Sequence, residues 1–99
     1  MLPAVEFEWD ESKNLGNQRK HGVSFSEVRE LFESEEYLEI FDEAHSEFED
    51  RFIAIGPIRR GLVVVVHMEP EENVIRVISA RRATRHERKF YLSFMDEKR

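Results

Sequence analysis

The sequence predicts an α+β domain, a mostly antiparallel sheet with helices packed on one face, in the order β-α-α-β-β-β-β-α. Three observations predict it. Segments in the second half, "EYLEIFD", "RFIAIG", "LVVVVHME" and "NVIRVISA", are rich in β-branched and aromatic residues and are separated by turn signals. Two capping boxes, Ser24 with Glu27 and Thr84 with Glu87, each announce a helix. Finally, 99 residues suffice for one core, so residues 1–99 form a single domain.

The elements follow in order. In "EFEWD", Phe7 and Trp9 alternate with acids, a period of two that marks a short strand, and Trp9 reads as core. Asp10 can cap the helix "ESKNLGNQRKHG", which Gly22 closes in a left-handed conformation. That helix offers little apolar surface beyond Leu15, so tertiary packing must support it. In "VSFSEVRELF", Val23 can staple against Val28, while Phe25, Val28, Leu31 and Phe32 form one buried stripe. "EYLEIFD" alternates as a strand, and "EAHSEFED" is an acidic loop. "RFIAIG" leads to a turn at Gly56-Pro57 or at Arg60-Gly61. "LVVVVHME" and "NVIRVISA" form a hairpin across "PEEN", and a last helix carries Phe90, Tyr91 and Phe94.

Composition narrows the function. With no cysteine there is neither a disulfide framework nor a thiolate metal site. The longest apolar run, Leu62 to Val66, falls far short of the roughly 18 residues of a membrane span. The N-terminus lacks the pattern of a secretory signal, and a cytoplasmic location is expected. The net charge of −6 is unevenly divided: −1 over residues 1–26, −10 over 27–50 and +5 over 51–99. An acidic total argues against a general nucleic-acid coat, yet a local basic site survives because salt screens charges beyond about 10 Å. The acidic block is either a solvated flank or a device that keeps nucleic acid away from that side.

"VISARRATRHERKF" gathers Arg81, Arg82, Arg85, Arg88 and Lys89 where a strand runs into a helix. Solvated strand-end charges would explain them, and so would a site for an anion, since a helix N-terminus adds free N–H groups and partial positive charge. His67 and Glu69 are two apart on a strand and share a face, as an acid–base pair would or as a sheet edge entering a turn would. The spacing of His45, His67 and His86 matches no metal-ligand pattern, and there is no Gly-rich loop for a nucleotide cofactor.

Three separated motifs resemble the BrnT toxin family in order along residues 6–91. The first is Trp9, Asp10, Lys13, Asn17, Lys20, His21 and Gly22 within "FEWDESKNLGNQRKHGVSF"; the others are "DRFIAIG" and "VIRVISARRATRHERKFY". The resemblance implies a RelE-like fold, metal-independent cleavage of RNA and no cofactor. It also implies a partner, a BrnA-like DNA-binding antitoxin, and leaves room for a dimer within the toxin–antitoxin complex; no membrane is involved. Met68 stands where the family often has Thr or Tyr.

Metal-free RNA cleavage needs a fixed cation at the phosphate, a base near the 2′-hydroxyl and an acid near the leaving oxygen. On this reading Arg81 and Arg82 hold the phosphate, His67 and Glu69 handle protons, and Lys20, Arg51, Arg59 and Arg85 guide the RNA. As strand neighbours Arg81 and Arg82 face opposite ways, so one of them points into the site. Two alternatives compete: a non-catalytic module that docks a DNA-binding partner, and direct DNA binding by the last helix, which the acidic total disfavours.

Overall fold

A computed structural model describes residues 4–97. Five strands, β1 (Glu6–Glu8), β2 (Leu38–Phe41), β3 (Arg51–Ile58), β4 (Gly61–Met68) and β5 (Val74–Arg82), form one sheet in the order β1-β5-β4-β3-β2. Three helices, α1 (Glu11–His21), α2 (Val28–Ser34) and α3 (Arg85–Glu97), complete the expected order, with short 3-10 turns at Phe25–Glu27 and Glu43–His45. The sheet is mixed: β1 lies parallel to β5, and every other pairing is antiparallel.

The helices do not share one face, contrary to expectation. Helices α1 and α2 cover the side where Ala54, Val63, Val65, Val77 and Ala80 join Phe25, Val28 and Leu31. Helix α3 covers part of the other side, packing Tyr91 with Leu38, Ile55 and Val64. The physical reason is legible in β4. Its run of four valines is apolar at both parities, so each face of the strand needs its own cover.

Local signals place the helices. Asp10 accepts a hydrogen bond from the Lys13 N–H at the start of α1, and Gly22 ends the helix at φ 71°. Ser24 and Glu27 form the reciprocal capping box, opening a 3-10 turn that runs into α2. Thr84 and Glu87 do the same for α3: Glu87 Oε1 accepts from the Thr84 N–H and Thr84 Oγ1 accepts from the Glu87 N–H. Strand β3 continues through Gly56-Pro57, and the chain reverses at Arg59-Arg60. Gly56 is needed for close approach, because a Cβ there would lie 2.6 Å from Tyr37 Cβ.

Helix α1 is held by amides rather than by oil. Leu15 is 48% exposed. Asn14, buried, accepts the Phe25 N–H at 2.8 Å. Asn17 does more: its Nδ2 donates to the carbonyls of Val23 (2.8 Å) and Ala80 (2.7 Å), and its Oδ1 accepts the Ala80 N–H (3.2 Å). Strand β1 pairs with β5 only from Val74 to Arg76. Beyond that point the Asn17 amide takes over as a one-residue strand, satisfying buried backbone groups that would otherwise be costly.

Replacing Asn17 with Ala is expected to cost roughly 2–4 kcal/mol, since it orphans both backbone groups of Ala80. Leu15→Ala should change stability by less than about 0.5 kcal/mol. Urea unfolding of the two variants checks the contrast.

Candidate functional site

The residues singled out in the sequence fall at two opposite ends of the sheet. At one end, the β3–β4 turn, the end of α1, the exit of β5 and the start of α3 come together. Arg60 donates to the Gly22 carbonyl and to both carboxylate oxygens of Glu27, which fastens the turn to the end of α1. The Ala83 N–H donates to the Leu62 carbonyl, which fastens the exit of β5 to the same turn. Lys20, Arg59, Arg82 and Arg85 are all exposed there, and none has an ion-pair partner among the described residues. His21 and His86 stand at this end too, a placement that the reading of single motifs missed.

Arg81 and Arg82 do face opposite ways. Arg81 pairs in register with Val64 of the α3-side core, Arg82 with Val63 of the α1/α2-side core. The Arg81 fork grips Glu87 at 2.7 and 2.8 Å. This hydrogen-bonded guanidinium, with further help from Thr84, holds the Glu87 carboxyl down at about 2. Arg81 therefore has its fork committed to the first turn of α3, whereas the Arg82 guanidinium is open to solvent.

His67 and Glu69 lie at the opposite end. Val66 faces Ser79 but His67 faces Val77, so Ile78 is an extra residue in β5. This bulge is why the core-facing positions of β5 run Ile75, Val77 and then Ala80. His67 sits three residues along β4 from Val64, the register partner of Arg81, and four from Val63, the partner of Arg82. That spans about 10–14 Å. The expected single site uniting His67 and Glu69 with the two arginines is thus not formed. The bulge and the strand length keep them apart.

The expected sharing of a face by His67 and Glu69 does produce a cluster, and β2 adds Glu39 to it. One ligand-capable atom from each of Glu39, His67 and Glu69 lies within 4.8 Å of the others. His67 is fully buried between Phe32, edge-on at 5.0 Å, and Phe52, stacked at 5.6 Å. Its Nε2 comes within 3.1 Å of Glu39 Oε1, but off the direction a hydrogen bond requires, so neither ring nitrogen has a hydrogen-bond partner. Burial depresses the imidazole to about 4. Burial pushes both the Glu39 carboxyl and the neighbouring Tyr37 hydroxyl upward; Glu69 adds to the first, and Glu39 followed by Glu69 and Glu35 to the second.

Arg51 belongs to this far end as well. It pairs with Met68 and lines an open depression of about 440 Å³ with His45, Glu47, Phe48 and Glu49. It does not join the other cations. The surroundings are acidic, with Glu49, Asp50 and Glu69 around one further depression.

Fold and charge define a small α+β protein with one basic and one acidic end to its mixed sheet. Residues 9–87 match the family model described as "Ribonuclease toxin, BrnT, of type II toxin-antitoxin system", and the chain belongs to this family. The fold is similar to that in the crystal structure of the Brucella abortus ribonuclease toxin BrnT, with TM-score 0.64 and 26% identity. The match covers 83% of this chain and 100% of that one. A search of curated proteins gives no match. No helix among the described residues is long and apolar enough to cross a membrane.

In metal-free buffer the His67 ring protons are expected to titrate near 4 in NMR spectra; a midpoint near 6.5 would contradict the burial described. The unfolded chain takes up this proton at 6.5 and the folded chain only at about 4. Stability present above 6.5 should therefore fall as pH drops through that window, by up to about 3 kcal/mol.

Proposed function

We propose that the protein is an endoribonuclease toxin that cuts RNA at the basic end of its sheet, without a metal, by attack of a ribose 2′-hydroxyl on the adjacent phosphate. The observation that carries this reading is that Lys20, Arg59, Arg82 and Arg85 are exposed cations on segments that independent contacts bring to one end of the sheet. An anionic backbone is the ligand such a surface fits, and family membership makes RNA the natural choice.

In this account Arg82 stabilises the phosphorus centre. Its planar fork can hold two phosphoryl oxygens, stays charged at any working pH, and is not spent on an internal carboxylate. Arg81 is a positioning residue: by gripping Glu87 it fixes the start of α3, and with it Arg85, against β5. Lys20 and Arg59 hold flanking phosphates. The proton carriers are His21 and His86, the imidazoles present at that end, since an imidazole suits proton exchange near neutral pH. His67 is shut away from RNA by complete burial, and Glu69, though exposed, lies with it at the acidic end. Arg51 lies too far along the sheet to touch the same phosphates.

The five-stranded sheet is a variant of the RelE toxin fold, and a BrnA-like DNA-binding antitoxin, in a complex that can be dimeric, silences the enzyme by covering the basic end. The competing reading, an interaction module without activity, is favoured only if cleavage is absent.

Purified protein in excess chelator should cut RNA, or ribosome-bound RNA, to products ending in cyclic phosphate. Arg82→Ala should lower kcat by about 100-fold or more. Lys20→Ala and Arg85→Ala should weaken substrate binding and flatten its salt dependence. Cleavage that needs added metal, or an Arg82→Ala protein as fast as the parent, would overturn the assignment.

A further inference from the structure

We propose that Glu39, His67 and Glu69 form a binding site for a first-row divalent cation of the zinc class, tying edge strand β2 to the far end of β4. The inference does not depend on the RNA reading, because the cluster lies at the other end of the sheet.

Geometry carries it. Donor atoms bound tetrahedrally to one such ion at about 2.0–2.2 Å stand roughly 3.3–3.6 Å apart. His67 Nε2 and Glu39 Oε1 stand 3.1 Å apart, a few tenths of an ångström inside that spacing, and all three donors fall within 4.8 Å. Movement of the exposed Glu69 side chain by about an ångström closes the set. His67 supplies the independent sign of a ligand. It is completely buried, its ring is clamped between Phe32 and Phe52, and the nitrogen facing the carboxylates has no hydrogen-bond partner. A buried polar atom left in that condition is costly, and a cation satisfies it while cancelling the repulsion between two neighbouring carboxylates.

The donor set selects the ion. One imidazole nitrogen and two carboxylate oxygens suit zinc, whereas magnesium prefers oxygen alone and keeps its waters. Access is open, because Glu39 lines one surface depression and Glu69 another, with Tyr37 bordering both. The ion would bridge segments distant in sequence, a cross-link between β2 and the β4–β5 turn.

The test uses the full chain, stripped with chelator and titrated with zinc chloride. With zinc at about a hundred times its dissociation constant, the melting temperature should rise by roughly 10 °C, and the His67 ring signals should shift. The double variant Glu39→Gln, Glu69→Gln keeps the fold's apolar contacts and should lose both effects. Magnesium at the same concentration should give neither. No rise with zinc, an equal rise in the double variant, or an equal rise with magnesium would each overturn the proposal, the last two by revealing binding to scattered acids.

Discussion

The amide of Asn17 clasped to the backbone of Ala80 is the constraint on which the rest depends. Helix α1 has almost no apolar face, so hydrophobic burial alone would not fix its position. Three hydrogen bonds from one side chain do so, and they do it where β1 ends and β5 would otherwise show an unpaired edge. Asn17 holds α1 to Ala80, and the β3–β4 turn is fastened both to Gly22 at the end of α1 and, through Leu62, to Ala83 at the exit of β5. The Lys-His-Gly ending of the helix and the Ala-Arg-Arg ending of the strand are therefore parts of one surface. Two of the three motifs that carry the family resemblance meet at this hydrogen-bonded pair.

Sheet register then sorts the charged residues. The extra residue at Ile78 reverses the facing of β5, sending Arg81 toward α3 and Arg82 toward the α1/α2 side. The imidazole at position 67 is left among aromatic rings at the far end. Chemistry that needs an exposed, permanently charged group and chemistry that needs a buried neutral ring are kept apart by the length of half a strand. The charge division along the sequence becomes a division in space: cations at the β3–β4 turn, acids around the β4–β5 turn and the loop before β3. Such a field can orient a polyanion before contact.

Much of this was legible in the residues, and the gaps have physical causes. Capping boxes and the αL glycine depend on neighbours three or four positions away, so Ser24-Glu27, Thr84-Glu87 and Gly22 could be read directly. The two-sided sheet was also written in the four consecutive valines, but periodicity does not say what covers each face. The bulge was not legible, because nothing in "VIRVISARR" distinguishes an extra residue from a paired one. The roles of Asn17 and Arg81 were hidden for another reason. Both act through partners that only the fold identifies, a backbone 63 residues away and a capping glutamate. The strand's pleat predicts that Arg81 and Arg82 face opposite ways, but only the fold shows that Arg81 is the brace and Arg82 the open one.

The most direct test of where RNA is held is NMR shift mapping with a short RNA whose 2′-hydroxyls are replaced by hydrogen, so that it binds without being cut. The account requires the largest shifts at Lys20, Arg59, Arg82 and Arg85, with His67 and Glu69 unmoved. Shifts centred on His67, Glu69 and Arg51, with the basic end silent, would contradict it.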